Sequence, residues 1–165
     1  IAQRARGFEM NVIAVDAHPA PDAPFVDEVW GMDRLPDLLR QSDVVAISAP
    51  LTDASHHLLG AQELALMKPS AYLIVVSRGG IVEESALAEA LTAGTIAGAG
   101  IDVAEVEPLS ADSPLWDAPN LIISPHTAGD SSEKEQRCVQ ILRENLIRYA
   151  AGEPLVNVAD KARGY

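Results

Sequence analysis

The residues best able to do chemistry in this 165-residue sequence stand where short apolar runs end. In an open α/β sheet, ligands bind beyond the carboxyl ends of the strands. There are five such apolar runs, and an ionisable side chain follows four of them. This predicts a site along one edge of one sheet. The residues after the five runs are Asp16, segment 49–52, segment 77–80, Asp102 with Val103, and segment 125–129.

His126 follows Pro125 at the last of these ends. Imidazole is the usual proton donor and acceptor near neutral pH. Glu105 and Glu107, in the long loop before it, are candidates for a carboxylate that would hold the ring cationic. Such a pair at 4 Å is worth up to about 4 kcal/mol before desolvation. A lone histidine is more often structural, so the residues alone leave both interpretations open.

Arg78 is followed by two glycines, Gly79 and Gly80. Its guanidinium can bind a carboxylate through two parallel hydrogen bonds, and glycines let a ligand approach the backbone closely. The alternative is a structural ion pair with a carboxylate such as Glu83. On these residues alone, the ion pair is the favoured alternative.

Asp16 ends the first apolar run. A carboxylate at this place in a dinucleotide-binding fold accepts the ribose hydroxyls, about 20 residues after the start of a glycine-rich loop. Only 15 residues precede Asp16, so the loop would lie before Ile1. The alternative is a turn-forming aspartate ahead of His18 and Pro19, and both interpretations stay open.

Other catalytic and metal-binding patterns are missing from the sequence. His56 and His57 are adjacent, so a helix cannot turn both rings towards one ion, and no triplet has the spacing of metal ligands. Ser77 and Ser124 stand outside any Gly-x-Ser-x-Gly motif. We therefore predict no metal site and no hydrolase chemistry.

The elements that must position these residues alternate between apolar runs and helical patterns, which is typical of βαβ units. Several runs are apolar throughout, which predicts an α/β fold whose parallel sheet is covered on both faces. The chain opens on what looks like the end of a helix at Gly7. Predicted strands cover residues 11–16, 43–48, 71–76, 96–101 and 120–124, and predicted helices cover 33–41, 60–67, 83–93 and 131 to about 151.

The last predicted helix carries an apolar stripe at helical spacing, which we expect to pack in the core. The stripe consists of Val139, Leu142, Leu146 and Tyr149. Stretches 17–24 and 104–119 are rich in proline and lack periodicity. Loops this long in a compact domain are often functional or interfacial.

The charge of the chain excludes several classes of function. Twelve Lys and Arg against 24 Asp and Glu give a formal net charge of −12, which repels nucleic acid and anionic membrane surfaces. No apolar run reaches the roughly 18 residues of a spanning helix, and the single Cys138 cannot form an internal disulfide. We expect a cytoplasmic protein that binds neither nucleic acid nor membranes.

Taken together and in order, five segments resemble the NAD-dependent D-isomer-specific 2-hydroxyacid dehydrogenases. The resemblance runs through Asn157-Val158 and Gly164-Tyr165. It implies a Rossmann-like doubly wound sheet, NAD as cofactor, a small 2-hydroxy or 2-oxo acid as substrate, and a homodimer. The segments are 12–16, 50–52, 77–82, 97–103 with 107–109, and 124–129.

The same resemblance implies a role for each candidate residue. Arg78 would bind the substrate carboxylate and 2-oxo group, His126 would be the general acid and base, and Glu107 would orient and charge His126. Asp16 would hold the adenosine ribose and favour NAD over NADP, because a carboxylate repels a 2′-phosphate. Asp102 would hold the nicotinamide carboxamide. The cofactor-lining set would be Ala49, Val76, Ser77 and Gly129, with Arg78 and His126 beside it.

The chain departs from the family pattern in its length. Members are about twice as long and carry a first strand and a Gly-x-Gly-x-x-Gly loop, which this sequence lacks. We expect residues 1–150 to be a partial dinucleotide-binding domain and 151–165 to return towards an absent substrate domain. Without the loop there is no helix N-terminus for the pyrophosphate, so this chain alone should bind NAD poorly.

Three alternatives remain beside a dehydrogenase of this kind. Corepressors that resemble these enzymes use the fold as an NAD-sensing scaffold, but nothing here suggests a peptide-docking surface. Formate dehydrogenase is disfavoured, because that family has Gln where Glu107 stands. An inactive remnant of a dehydrogenase is the third.

Overall fold

The computed structural model describes residues 1–20 and 23–161. The predicted loop 17–24 and the tail 151–165, with Gly164 and Tyr165, therefore lie partly outside the described residues. The elements in chain order are α1 (Ala2–Arg6), β1 (Ile13–Val15), β2 (Glu28–Trp30), α2 (Leu35–Gln41), β3 (Val44–Ile47), α3 (Ala61–Leu64), β4 (Tyr72–Val75), α4 (Glu84–Thr92), β5 (Gly98–Ile101), β6 (Leu121–Ile123) and α5 (Lys134–Ala151), with short 3-10 helices at Met32–Arg34 and Pro114–Asp117.

Four parallel strands form the larger sheet, in the order β3-β4-β5-β6. Each is a predicted strand, shortened by one or two residues at one or both ends. One row of the register joins Ile47, Val75, Ile101 and Ile123 as neighbours. The parallel sheet with intervening helices confirms the predicted α/β, Rossmann-like fold.

The other two strands, β1 and β2, form a separate parallel pair, with Ile13 opposite Glu28 and Val15 opposite Trp30. The sequence pattern does not predict β2, because Glu28-Val29-Trp30 follows Asp27 and does not form an apolar run like those of the predicted strands. The expectation that all five strand ends share one sheet is therefore wrong in one respect. Asp16 lies at the end of the smaller sheet.

The core lies mainly on one face of the larger sheet. In β3, Val45 and Ile47 are buried, whereas Val44 is 45% exposed and Ala46 is also exposed. The expectation that strands are covered on both faces is wrong for β3, because the described helices leave one of its faces open. The largest fully buried side chains are Leu39, Leu64, Leu73, Ile81, Leu87 and Leu115.

Helix α4 supplies much of the cover on the closed face. It buries an almost continuous set of small and branched side chains: Ala86, Leu87, Ala88, Ala90 and Leu91. The helix ends as predicted, because Gly94 takes a φ of 68°, a left-handed conformation that glycine adopts without a steric penalty.

Helix α5 overturns the expectation that its apolar stripe packs in the core. None of its residues is buried, and the stripe is 60–78% exposed, because no described element lies over it. Asn145 instead clamps the segment that follows the helix. Its side chain donates to the carbonyl of Val156 at 3.0 Å and accepts from the Val156 N–H at 2.9 Å.

Within residues 1–20 and 23–161, the structure contains no helix that is both long enough and apolar enough to cross a membrane.

Candidate active site

The strand register assembles the predicted edge of the larger sheet. Just past the row that joins the four strands, the N–H of Val76 donates to Ile47 O, that of Asp102 to Val75 O, and that of Ser124 to Ile101 O. Pairing therefore continues one residue beyond each strand. It places the segments that begin at Ser48, Val76, Asp102 and Ser124 side by side, which carries four of the five predicted positions to one edge.

A histidine–carboxylate pair lies at this edge. His126 Nδ1 is 2.8 Å from Glu107 Oε2, and the other carboxylate oxygen accepts the N–H of Ala104 at 3.1 Å. The hydrogen bond from His126, then that from Ala104, lowers the pKa of Glu107 below its ordinary value. Of the two carboxylates that the sequence offered, the structure selects Glu107, since Glu105 contacts His56 and His57 instead.

Asp102 is the buried anchor of the loop that carries His126. Only 3% exposed, it accepts hydrogen bonds from Ser124 Oγ at 2.6 Å, Thr127 N–H at 2.9 Å and Ala128 N–H at 2.7 Å. The bond from Ser124 is the largest cause of a lowered pKa at Asp102, and burial opposes it. The carboxylate is therefore held ionised between residues on both sides of His126.

This anchor explains how His126 keeps an uncommon backbone conformation. Its φ is 55°, in the left-handed region that costs a non-glycine residue of order 1–3 kcal/mol. The flanking bonds to Asp102 stabilise the loop in that shape. Sequence reasoning missed this role, because nothing in the motif shows that Ser124 and two backbone N–H groups converge on one carboxylate.

Arg78 extends from the end of β4 as an exposed side chain. Its Nη1 donates to the carbonyl of Ser77 at 2.6 Å, and no carboxylate of the described residues lies within ion-pair distance of it. The predicted alternative, an ion pair with Glu83, is therefore not formed. The guanidinium retains donors for a ligand.

Gly79 explains the close packing beside Arg78. A Cβ built on Gly79 would lie 1.9 Å from the carbonyl oxygen of Ala104, a distance that no real contact tolerates. The backbone of the Arg78 loop therefore lies against the segment that leads to Glu107. Glycine is required here for that approach.

Asp16 is exposed and forms a local turn, in which its Oδ1 accepts the N–H of His18 at 2.7 Å. This is the turn-forming geometry that was one of the two sequence interpretations. The second carboxylate oxygen has no such bond within the described residues. The turn is therefore compatible with a ligand on that oxygen.

The remaining candidates line the same edge of the larger sheet. Ala49, Val76 and Gly129 are exposed, and a Cβ on Gly129 would meet no atom within 4 Å. Ser77 Oγ is buried without a hydrogen-bond partner among the described residues. A buried hydroxyl without a partner is uncommon, and it fits a site that is completed by a ligand or water.

The fold and this edge define a dinucleotide-binding α/β domain that carries an imidazole–carboxylate pair. Residues 1–128 match the family described as D-isomer specific 2-hydroxyacid dehydrogenase, NAD binding domain. The chain belongs to this family, and the parallel sheet described above is its NAD-binding fold.

Known members show how much of such a protein the chain represents. It is 44% identical over 156 residues to a glyoxylate/hydroxypyruvate reductase B of Pectobacterium carotovorum. The aligned region covers 93% of this chain and 48% of that protein. The chain thus spans about half the length of the curated relatives it matches.

Two solved structures show the same fold with different cofactors. An NADPH-dependent glyoxylate/hydroxypyruvate reductase from Sinorhizobium meliloti, in complex with NADP and sulfate, superposes with a TM-score of 0.89 at 28% identity, over 99% of this chain and 52% of that one. A D-isomer specific 2-hydroxyacid dehydrogenase from Lactobacillus delbrueckii, in its NAD complex, superposes with a TM-score of 0.82 at 29% identity. This match covers 96% of this chain and 51% of that one.

Proposed function

We propose that the protein containing this chain is an NAD(H)-dependent oxidoreductase that interconverts a D-2-hydroxyacid and its 2-oxoacid. The observation that carries the proposal is the 2.8 Å contact between His126 and Glu107 at the carboxyl edge of an NAD-binding sheet. A paired imidazole at that place is suited to move a proton to and from a substrate oxygen. The chain's similarity to glyoxylate/hydroxypyruvate reductases supports glyoxylate and hydroxypyruvate as the first substrates to test.

The residues of this edge suit a nicotinamide dinucleotide. The buried hydroxyl of Ser77 without a partner and the exposed Gly129 offer a polar lining with room for close approach. Asp16, at the end of the smaller sheet, adds a carboxylate oxygen without a hydrogen bond within the described residues. We assign Ala49, Val76, Ser77 and Gly129 to the cofactor. We also assign Asp102 to it, through Oδ2, which accepts only the N–H of Ala128, whereas Oδ1 accepts bonds from both Ser124 and Thr127. When bound, the cofactor supplies the hydride in reduction and accepts it in oxidation.

His126 performs the proton transfer in this proposal. Glu107 occupies Nδ1, so Nε2 is the ring atom that faces a substrate oxygen. In reduction the imidazolium donates its Nε2 proton to the substrate oxygen as negative charge develops there. In oxidation the neutral ring removes a proton from the substrate hydroxyl. Such general acid–base catalysis contributes on the order of 10²–10⁴ in rate.

Arg78 binds the substrate in this proposal. Its guanidinium has no carboxylate partner among the described residues, so it can take a substrate carboxylate through paired hydrogen bonds. Its positive charge also stabilises the negative charge that develops on the 2-oxo oxygen. Orientation by Arg78 then places the carbonyl carbon and oxygen for hydride and proton transfer.

Asp16 carries the proposed preference for NAD. A carboxylate beside the ribose accepts hydrogen bonds from its hydroxyls and repels a 2′-phosphate. Its exposed position after β1 and its locally fixed turn support this assignment.

The assembly and location of the protein form the remainder of the proposal. We assign residues 1–150 to a partial dinucleotide-binding domain and 151–165 to a tail that returns to a substrate domain. A cytoplasmic location without nucleic-acid or membrane partners agrees with the net charge of −12 and the single cysteine, and the homodimer is proposed from the family resemblance alone. Light scattering of the purified protein tests the dimer directly.

The activity is tested by following NADH oxidation with glyoxylate or hydroxypyruvate. The assay is run on this chain and on the product of the full reading frame that contains it. Turnover by the full product supports the proposal. Tight NADH binding without turnover of these or other 2-oxoacids would favour a binding scaffold, and neither binding nor turnover would favour an inactive remnant.

A further inference from the structure

Outside the assigned site, three titratable side chains of the described residues lie close together: His56, His57 and Glu105, here called the His–His–Glu cluster. His56 Nε2 lies 3.2 Å from Glu105 Oε1, and His57 Nε2 lies 3.2 Å from Glu105 Oε2. The two imidazole rings are stacked, with centroids 3.9 Å apart and an angle of 24° between their planes. Each carboxylate oxygen therefore has its own histidine.

A turn brings the adjacent histidines together. His57 has a φ of 51° and its N–H donates to the carbonyl of Gly80 at 2.7 Å, so this segment is not helical. A helix cannot turn two adjacent histidines towards one ion, but the left-handed His57 removes that restriction here, and both rings contact Glu105.

The observed contacts are those of a carboxylate bound by two imidazoles. The ligand atoms of the three residues lie within 4.8 Å of one another, which is close enough for a metal ion as well, but each Nε2 lies 3.2 Å from its own oxygen of Glu105. A carboxylate presents two oxygens side by side and accepts one bond on each. The two bonds, with that from His57 the larger cause, lower the pKa of Glu105, which keeps it an acceptor.

The cluster is joined to the candidate active site through a short segment of chain. The N–H of Glu105 donates to Glu84 Oε1 at 2.6 Å, and the preceding Ala104 lies against Gly79 beside Arg78. Two residues after Glu105 stands Glu107, which holds His126. Segment 104–107 is thus fixed by the cluster on one side and faces His126 on the other.

We infer that Glu105 is a positioning residue. Its bonds to His56 and His57 fix segment 104–107, so that Glu107 meets His126 while the Arg78 loop lies against Ala104. The role in catalysis rests on the proposed function, whereas the cluster itself can be tested without any activity.

The first test is spectroscopic and independent of turnover. Ring 1H–15N NMR of this chain should show His56 and His57 with protons on Nε2 that exchange slowly, and both signals should lose that protection in Glu105→Gln. Unchanged signals in the variant would overturn the cluster. So would saturable binding of Zn²⁺ alone that is lost in Glu105→Gln, since the cluster would then be a metal site.

The second test is kinetic and uses the product of the full reading frame. Glu105→Gln should lower kcat for reduction by about 10–100-fold, the cost of a misplacement of order 1 Å, with KM for NADH nearly unchanged. Glu133→Gln, which removes an exposed glutamate on the N-terminal side of α5, is the matched control and should leave kcat unchanged.

Substitution of the histidines separates positioning from stability. His56→Gln with His57→Gln keeps an N–H donor on each side chain and should retain most of kcat, whereas His56→Ala with His57→Ala should reproduce Glu105→Gln. Equal kcat in all variants would overturn the positioning role even if the NMR signals behave as expected. A wild-type enzyme without turnover would instead refute the proposed function and leave the spectroscopic test standing.

Discussion

His126 Nδ1 lies 2.8 Å from Glu107 Oε2, although the two residues are 19 positions apart in the chain. The contact depends on two other arrangements. Asp102 fixes the loop of His126 from both sides, through Ser124 before it and Thr127 and Ala128 after it, and Ala104 donates to the second oxygen of Glu107. A proton-transfer residue is thereby held at the edge of the sheet with one ring nitrogen directed away from its carboxylate.

Glu107→Gln should lower kcat for reduction on the order of tenfold or more. The hydrogen bond from His126 lowers the pKa of Glu107, so the carboxylate is held ionised as the partner of Nδ1, and a neutral amide removes both its charge and its fixed acceptor position. Steady-state rates at neutral pH check this, with Glu133→Gln as control. An unchanged kcat would remove Glu107 from its proposed role.

Asp102→Asn should destabilise the fold at neutral pH and flatten its acid unfolding curve. The pKa of Asp102 is lowered from 3.8, so its ionised form stabilises the folded state above that value, and this contribution is lost as the pH falls through the lowered pKa. Circular dichroism at pH 2–7 measures it. Asp112→Asn, at an exposed carboxylate, is the control, and parallel curves for all three proteins would contradict the account.

Asp16→Ser should weaken the discrimination against NADP. Asp16 is exposed, so solvent screens its repulsion of a 2′-phosphate, and removing the carboxylate should lower the ratio of NADH to NADPH affinity by about tenfold, equivalent to about 1.4 kcal/mol. Titration of cofactor fluorescence gives both affinities. If the ratio is the same in wild type and variant, Asp16 does not select the cofactor.

Gly79→Ala should lower the stability of the fold, whereas Gly129→Ala should weaken cofactor binding. The added Cβ at Gly79 would collide with Ala104 O, which costs about 1–3 kcal/mol or more in overpacking and should lower Tm. The Cβ at Gly129 has open space, so Tm should hold while cofactor binding weakens. Calorimetry gives the Tm of each variant, and a binding assay gives its affinity for the cofactor. Equal Tm values for the two variants would contradict the close packing at Gly79.

The sequence predicts the parallel sheet well because its strands are long apolar runs with clear ends. The strand ends also predict Asp102 and His126 correctly as edge residues, since parallel strands share their carboxyl edge. The pairing of His126 with Glu107 in place of Glu105 depends on the path of a loop, which no periodicity encodes.

The errors have similar physical causes. Strand β2 begins at the second of two acidic residues in a row, Asp27 and Glu28, and so shows no apolar run, and the stripe of α5 is apolar although no described element covers it. Helical geometry keeps the rings of His56 and His57 apart, whereas a single left-handed residue lets both contact Glu105. Each miss lies where tertiary contacts or one backbone angle decide the outcome.

The most direct measurement is the rate of NADH oxidation with glyoxylate and hydroxypyruvate by the full reading-frame product and its His126→Gln variant. We expect the variant to lose about 10²–10⁴ in kcat, the usual contribution of a general acid, with its affinity for NADH maintained. A variant that reduces either acid at the wild-type rate would contradict the role of His126 as the proton donor.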